Sequence, residues 1–375
     1  MKKLSTLLIC ILIEVSLFAQ TPHGHSHSYD RVINFPDVPG YQVLKCDFHQ
    51  HSIFSDGSVW PDIRVQEALK DGLDAISLTE HLEYQPHKDD VPHPDRNRAY
   101  ELALGYAKNH DLIVVNGSEV TRSMPPGHTN AIFIKDANKL LEDDPIVVFK
   151  EAKRQGAFIF WNHPNWSAQA KDGVAKLTDM HRQMIKEGLL NGIEVVNDVT
   201  YSDEALQIAL DNNLTIMGTS DIHGLIDWQY EVPHGGHRPI TLVFARERTE
   251  KGIKEGLLEG RTVVWFNNTL IGKNDFLVPL IESSLKVKEA SYSNKTSIAQ
   301  IIIENVSDVE YVLENKSSYT LHGHTDLVTI EPNTTTIVDV KTLDVLDAFE
   351  LKFKVLNAVN APKSHPEISL QVNIK

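Results

Sequence analysis

The segment KCDFHQHSIFSDG, residues 45–57, brings His49, His51 and Asp56 together directly after an apolar run. Imidazole and carboxylate groups in combination are ligands for zinc, manganese and iron, whereas calcium and magnesium are bound mainly by oxygen atoms. Asp56, in the sequence SDG, also has a residue type that commonly caps a turn. The segment on its own therefore indicates a metal site but does not distinguish it from a capped turn.

Residues of the same kinds recur along the chain, mostly where a predicted strand ends. They are His81, Glu119, His128, His163, Asp221 and His223. One zinc ion takes about four ligands, so the nine candidates predict two or three divalent ions, of zinc, manganese or iron, and at least one bridging carboxylate. A single histidine at a strand end is more often a hydrogen-bonded structural residue, and the prediction depends on the recurrence. Glu80 is interpreted as a residue that orients a histidine or a loop amide.

From Tyr41 to about Gly272, short apolar runs alternate with helical segments, and this alternation predicts parallel βαβ units in an α/β fold. Six or more such units favour a closed barrel over a short open sheet. The carboxyl ends of parallel barrel strands meet at one face, where active sites are built. The candidate ligands are therefore expected at that face, although His128 begins its predicted strand.

The character of the sequence changes after about Phe276. β-Branched runs separated by Asn, Ser, Pro and Asp turns replace the helical segments, which predicts an antiparallel, sandwich-like all-β domain. The predicted organisation is a signal peptide at 1–19, a flexible histidine-containing leader at 20–40, a metal-binding α/β domain at 41–280 and the all-β domain at 285–375. His322 and His324 of the all-β domain are interpreted as surface residues.

The N-terminus has the pattern of an export signal. Two lysines precede an apolar stretch at residues 4–18, which Glu14 interrupts. The stretch is too short and too interrupted for a stable membrane span, and a buried N-terminal helix is the alternative. Without residues 1–19, Cys46 is the one cysteine in the sequence, so no intrachain disulfide is expected. The predicted location is the periplasm or the exterior.

The chain carries 36 Lys and Arg against 51 Asp and Glu, which gives a formal net charge of −15. A charge of this sign repels phosphate backbones and anionic membranes, and so it argues against a protein that coats nucleic acid. A small anionic substrate remains compatible, because bound metal ions dominate the local field.

The motifs HQHSIFSDG, TEH, GSEV, NHP and SDIH follow one another in roughly residues 45–270 and resemble those of the polymerase and histidinol phosphatase (PHP) family of metal-dependent phosphoesterases. Glu80 in TEH departs from the aspartate more usual in that family. The resemblance implies a distorted (β/α)7 TIM-like barrel with two or three ions. The ligand sets that it implies are His49, His51 and Asp221 for one ion, His128 and His163 for a second ion that Glu119 bridges to the first, and Asp56, His81 and His223 for a third.

Taken together with the predicted export signal, the same resemblance predicts an exported enzyme that hydrolyses a small phosphomonoester or phosphodiester through a metal-bridging hydroxide. The residues expected to act in catalysis are Glu119, Asp221 and His223. The residues expected to bind phosphate are Arg122 and, in the Gly-rich segment EVPHGGHRP, His234, His237 and Arg238. Each of these four also fits a solvated loop residue. Hydrolysis of an amide or a lactone, and a catalytically silent binding protein, are the alternative functions.

Overall fold

The computed structural model describes residues 32–293 and 296–375 of the chain. The predicted signal peptide and the histidines at positions 23, 25 and 27 of the predicted leader lie outside the described residues. The strands of the first domain are β1 Gln42–Asp47, β2 Ala75–Leu78, β3 Ile113–Val120, β4 Thr129–Ile132, β5 Phe158–Trp161, β6 Gly192–Asn197, β7 Thr200–Tyr201, β8 Thr215–Thr219, β9 Ile240–Ala245, β10 Thr262–Phe266 and β11 Thr269–Gly272.

The helices lie mainly between these strands. They are α1 Pro61–Asp71, α2 Arg98–Ala107, α3 Pro145–Gln155, α4 Asp179–Lys186, α5 Asp203–Asp211, α6 Ile226–Gln229, α7 Glu250–Leu258 and α8 Asn274–Ser284. Local signals set their ends: α1 begins at Pro61 and ends before Gly72, whose φ of 69° favours glycine. Among the helices of the described segments, none is long and apolar enough to cross a membrane.

Strands β1 to β11 form one sheet that curls into a half-barrel. The strand order is β11-β10-β9-β1-β2-β3-β4-β5-β6-β7, and β8 pairs with β6. Strands β1, β2 and β3 run parallel to one another, as do β5, β6 and β8. The predicted distorted α/β barrel is confirmed.

Besides the short strands β7 and β11, which run antiparallel to β6 and β10, two strands depart from the parallel arrangement expected from the sequence. β4 runs antiparallel to β3 and β5, and β9 runs antiparallel to β1 and β10. The expectation of uniformly parallel βαβ units is therefore wrong for β4 and β9. Residues 121–128 join β3 to β4 without a helix, and a connection this short cannot make a parallel crossover.

The rest of the chain forms the predicted all-β domain. Its strands are β12 Leu285–Tyr292, β13 Ile298–Asn305, β14 Tyr311–Asn315, β15 Thr320–Leu321, β16 Leu327–Ile330, β17 Thr335–Lys341, β18 Ala348–Val355, β19 Ala358–Val359 and β20 Glu367–Asn373. They build two antiparallel sheets of order β12-β13-β17-β15 and β16-β14-β18-β20. Alternate residues of β13 and β18 are buried, as in strands that pack one face on an opposing sheet.

The two domains share an apolar core. Leu277 and Leu280 of α8 belong to the same buried cluster as Ile301 and Leu351 of the all-β domain. Strand β19 leaves the two sheets of the all-β domain and pairs in parallel with β11 of the barrel. Side-chain packing and backbone hydrogen bonds therefore both connect the domains.

Candidate metal centre

The loop after β1 carries three of the predicted ligands. His49 and His51 are two residues apart and fully buried. The chain then turns so tightly that a Cβ atom at Gly57 would lie 2.7 Å from the backbone of His51 and Ser52. Because glycine has no such atom, the turn can bring Oδ1 of Asp56 to 3.7 Å from Nδ1 of His51.

The nine predicted metal ligands lie together near the barrel strand ends, in four groups whose donor atoms are within 4.8 Å of one another. The groups are His51, Asp56, His81 and His223; His49, Glu119 and His163; His49, His51 and Asp221; and His81, Glu119 and His128. Four residues belong to two groups each, so the groups form one continuous cluster.

The antiparallel direction of β4 explains how His128 joins the cluster. His128 precedes β4, whereas Glu119 and His163 lie at or beyond the carboxyl ends of β3 and β5. Because β4 runs against both neighbours, its first residues lie at the edge where β3 and β5 end. A strand start and two strand ends thereby meet at the same edge of the sheet.

Glu119 is fully buried in the cluster. Its Oε2 lies 2.7 Å from Nδ1 of His81 and 3.5 Å from Nε2 of His51. Its Oε1 lies 3.0 Å from Nδ1 of His128 and 3.4 Å from Nε2 of His163. The two oxygens therefore face different histidines, which is the arrangement required of a bridging carboxylate.

Asp221 closes the group that contains His49 and His51. Its Oδ1 lies 3.1 Å from Nε2 of each of these histidines. The φ angles of Asp221 and His163 are 50° and 29°, in the left-handed region that is unfavourable for residues with a Cβ atom. Residues held in such conformations are often found at functional sites.

Asp56 lies between the histidines of the remaining group. Its Oδ2 is 3.4 Å from Nε2 of His81, and its Oδ1 is 3.1 Å from Nε2 of His223. The His223 side chain is 39% exposed, so this side of the cluster is accessible to a small molecule.

The donor set fits divalent cations. Oε2 of Glu119, Oδ1 of Asp221 and Oδ1 of Asp56 are buried, and no donor among the described residues makes a hydrogen bond to them. Burial of an unsatisfied polar atom costs about 1–3 kcal/mol, and more for a charged group. Cations held by these oxygens and the adjacent imidazoles would satisfy them, and this mixture of ligands suits zinc, manganese or iron.

The pKa values of the cluster also indicate that its buried carboxylates require positive charge close to them. Burial acts to raise the pKa of Glu119, but His81 and His49 outweigh it and hold that pKa well below its usual value. Burial acts to lower the pKa of His81, but Glu119 and Asp56 raise it to about 11. Burial lowers the pKa of His51 to about 3, with the charge of His81 in the same direction. Protons on some imidazoles thus balance the carboxylates, and a metal ion would displace those protons.

Glu194, in the buried strand β6, orients two of the candidate ligands and did not appear among the sequence candidates. Its Oε1 accepts a hydrogen bond of 2.8 Å from Nδ1 of His49, and its Oε2 accepts one of 2.6 Å from the backbone N–H of His163. The signal in the sequence was an acidic residue within the otherwise apolar run GIEVV. A carboxylate that accepts a hydrogen bond from Nδ1 of a histidine fixes the tautomer in which Nε2 is free to bind a metal.

Glu80 has the contacts expected of a residue that orients the site. It accepts hydrogen bonds from the backbone N–H of Ser52 and from the hydroxyl of Ser55. The Ser55 hydroxyl in turn lies 3.2 Å from Nδ1 of His51. Glu80 therefore acts on His51 through the loop and not as a member of the metal-binding groups.

The structure does not bring the four predicted phosphate-binding residues to the site. Arg238 is fully buried, where its Nε donates to Asp71 at 2.8 Å and its Nη1 donates to Asp47 at 3.3 Å. The guanidinium is therefore bound by these two carboxylates in the protein interior. Arg238 therefore belongs to a buried ion-pair network with Asp47 of β1 and with Asp71. The sequence alone could not show which carboxylates would pair with it.

The other three predicted phosphate-binding residues have different surroundings. The ring of His237 stacks on Trp265 with 3.5 Å between ring centroids, and His234 is exposed on a short 3₁₀ turn. Arg122 pairs with Glu83 at 2.9 Å. None of these residues is among the described residues that line the cavity beside the metal ligands.

That cavity has a volume of about 510 Å³ and opens directly onto the cluster. Its lining residues are Asp56, His81, His128, His163, Asn165, Trp166, Ser167, Asn197, Asp198, Thr200, Asp221, His223 and Gln229. The volume is in the range of small-molecule sites, so a small substrate can reach the ligands.

Known proteins resemble each of the two domains. The model of the family DUF5001, described as an Ig-like domain, matches residues 285–371. No curated protein matches the chain. A solved structure from Pseudomonas syringae, PsfC, is 18% identical over 60% of this chain and 92% of its own, with a TM-score of 0.42. At that TM-score the likeness supports no conclusion about this chain.

A second solved structure, from Bacteroides vulgatus, resembles the whole described molecule. It is a two-domain protein that contains a predicted PHP-like metal-dependent phosphoesterase. It is 44% identical to this chain, the match covers 91% of this chain and 98% of the other, and the TM-score is 0.85. With nine candidate ligands gathered in the barrel and an all-β domain behind it, this chain belongs to the PHP family of metal-dependent phosphoesterases.

Proposed function

We propose that this protein is a hydrolase that uses two or three divalent ions of zinc, manganese or iron to cleave a small phosphomonoester or phosphodiester. The observation that carries the proposal is the set of three buried carboxylate oxygens without hydrogen bonds, on Glu119, Asp221 and Asp56, among six imidazoles. The adjoining cavity of about 510 Å³ suits a small substrate.

The side chains of the chain have separate tasks in this function. Divalent ions, when bound, supply Lewis acidity and lower the pKa of water. Glu119, which is fully buried, and Asp221, which borders the cavity, neutralise positive charge, and Glu194 fixes the ring of His49. His223 lies at the accessible side, where it contacts Asp56 and borders the cavity. Substrate therefore enters from the side of Asp56 and His223.

The test is hydrolysis by the full chain after metal content has been measured by elemental analysis. We expect turnover of p-nitrophenyl phosphate or bis-p-nitrophenyl phosphate that stops with a chelator and returns with zinc, manganese or iron. Turnover of an acyl ester alone would overturn the proposal in favour of the alternative, a hydrolase of amides or lactones.

A double variant tests whether the cluster is the active site. His49→Ala with Asp221→Ala removes two members of one ligand group, and we expect loss of bound metal and loss of phosphatase activity. His322→Ala, on the exposed part of the all-β domain, is the control and should retain both. Equal activity in the wild type and the double variant would favour the silent binding protein.

We also propose that the protein is exported to the periplasm or beyond, on the support of the two lysines and the apolar stretch at residues 4–18. Expression in a bacterium, fractionation and N-terminal sequencing test this proposal. A periplasmic or secreted product that begins at Gln20 is the expected result, and a cytoplasmic product that retains Met1 or Lys2 is the contrary one.

A further inference from the structure

The cavity has a second wall, which is formed by residues outside the nine candidate ligands. It consists of Asn165, Trp166, Ser167, Asn197, Asp198, Thr200 and Gln229. An indole, neutral hydrogen-bonding side chains and a carboxylate thus face the space next to the metal groups. A substrate whose phosphate lies at the metals must direct its alcohol portion towards this wall.

Trp166 presents a large apolar surface at the mouth of the site. Its side chain is 48% exposed. The ring makes edge contacts with those of His128 and His163, with centroid distances of 5.6 and 5.2 Å and interplanar angles of 63° and 80°. Edge-to-face contacts of this kind are favourable and hold the indole in place. The exposed remainder of the ring can cover the C–H groups of a ligand.

Asp198 gives the wall a fixed negative charge. Its Oδ1 accepts hydrogen bonds from Nε2 of Gln229 at 2.6 Å and from the hydroxyl of Tyr230 at 3.1 Å. The residue has a φ of 52°, which is uncommon outside glycine. Since both donors bind Oδ1, Oδ2 retains its capacity to accept hydrogen bonds from a ligand.

The chemistry of this wall defines a class of alcohol. Hydroxyl groups donate to carboxylate oxygens and accept from amide N–H groups, and both partners are present in Asp198 and Gln229. The C–H faces of a sugar or a sugar alcohol match the indole of Trp166. An anionic group placed here would face the Asp198 carboxylate at short range, which costs free energy.

We infer that the alcohol portion of the substrate is a neutral polyhydroxylated group, a sugar or a sugar alcohol, and that Asp198 discriminates against phosphate esters of anionic alcohols. The inference rests on the proposed phosphoesterase function. Hydrolysis breaks the P–O ester bond, and water supplies the hydroxyl to phosphorus and the proton to the alcohol oxygen.

Two matched substrates test the inference on the metal-loaded full chain. Sorbitol 6-phosphate and 6-phosphogluconate differ at carbon 1, which carries a hydroxymethyl group in the first and a carboxylate in the second. We expect kcat/KM to favour sorbitol 6-phosphate by about tenfold or more, because like charges at a binding site discriminate strongly. Equal values, or a preference for 6-phosphogluconate, would overturn the inference.

The substitution Asp198→Asn tests the origin of the selectivity. It removes the charge and keeps the size, so the ratio of the two kcat/KM values should fall about tenfold towards unity. The control Asp326→Asn removes one negative charge from the exposed surface of the all-β domain and should leave the ratio unchanged. A ratio that stays the same in Asp198→Asn contradicts the assignment.

The substitution Trp166→Ala tests the apolar surface. We expect KM for sorbitol 6-phosphate to rise about tenfold, with partial recovery in Trp166→Phe. Trp228→Ala is the control, because Trp228 is 80% exposed and is not among the described residues lining the cavity. An unchanged KM in Trp166→Ala would refute the contact.

The outcomes separate this inference from the proposed function. Turnover of p-nitrophenyl phosphate without the expected preference overturns the inference and leaves the phosphoesterase intact. Turnover of p-nitrophenyl phosphate with no hydrolysis of either sugar derivative also overturns the inference. The absence of hydrolysis of every phosphate ester overturns both.

Discussion

Among single residues, Glu194 shows how a buried carboxylate can hold a candidate metal ligand in position. It is buried in β6, and it binds Nδ1 of His49 as well as the backbone N–H of His163. It thereby connects two candidate metal ligands that follow different strands. The position of the Nε2 atom of His49 depends on this carboxylate as much as on the loop that carries the histidine.

The substitution Glu194→Gln should weaken metal binding by about 10–100-fold, because an amide cannot accept from both N–H groups as a carboxylate does. Competition with a chromogenic chelator measures the affinity. Glu255→Gln, on the exposed face of α7, is the control and should bind metal as the wild type does. An affinity in Glu194→Gln within twofold of the wild type would show that Glu194 has only a structural role.

His181 ties helix α4 to the loop before His128. Its ring stacks on Trp161 with 4.0 Å between centroids. Nε2 donates to the carbonyl oxygen of Pro126 at 2.7 Å, while Nδ1 accepts from the backbone N–H of Thr178 at 3.2 Å. This arrangement requires the neutral ring, and burial lowers the pKa of His181 to about 4.

This shift predicts a loss of stability in acid. The folded-state pKa lies below the unfolded value, so the unfolded state binds more protons between about pH 6.5 and 4, and stability falls as pH falls through that window. At pH 5 the loss from His181 is about 2 kcal/mol. Urea unfolding of the wild type and of His181→Gln should therefore differ less at pH 5 than at pH 7.5. A constant difference would contradict the prediction.

Among the elements, helix α1 connects the two loops that carry the first and the last motif. Arg64 of α1 is fully buried, and its Nε donates to the carbonyl oxygen of His51 at 2.8 Å. Its Nη2 donates to the carbonyl oxygen of Ile222 at 3.3 Å, and its Nη1 to Glu67 at 2.6 Å. A single guanidinium thus holds two loops that are far apart in sequence against one helix.

The substitution Arg64→Lys should lower the free energy of unfolding by about 2–4 kcal/mol, because one ammonium cannot make all three bonds in a buried place. Arg98→Lys in α2 changes an exposed pair with Glu101 and should cost less than about 1 kcal/mol. Urea denaturation of the metal-free proteins gives both values. Similar costs for the two variants would mean that Arg64 does not hold the loops.

In the whole molecule, the all-β domain is part of the core that supports the barrel. The buried cluster runs through α8 into both domains, and Asn357 adds a polar connection. The Nδ2 of Asn357 donates to the carbonyl oxygens of Asn268 and Glu310, and its Oδ1 accepts from the N–H of Val312. A connection of this kind opposes independent unfolding of the two domains.

Scanning calorimetry of the full chain should therefore show one unfolding transition, because the shared core makes the domains cooperate. Leu280→Ala, at the shared core, should lower the transition temperature while keeping a single peak, at a cost of about 2–5 kcal/mol. Leu258→Ala, at a side chain that is 50% exposed, should have little effect. Two separate peaks in the wild type would show that the domains unfold independently.

Several properties of this protein follow from local features that can be recognised in the sequence. The alternation of apolar runs and helical segments, and its change after about Phe276, predicted the barrel and the all-β domain. The recurrence of histidine and carboxylate at strand ends predicted a metal centre, because residue type and strand position are both local properties. The fold class and the family resemblance therefore follow from the amino-acid sequence alone.

Other properties depended on which segments meet in three dimensions. Only the antiparallel direction of β4 brings His128 to Glu119, and only the packing of β6 places Glu194 behind His49. Arg238 pairs with buried carboxylates, whereas Trp166 and Asp198 line the cavity. The direction of strand pairing and the long-range contacts determine where these side chains lie, and no local spacing of residues encodes either of them.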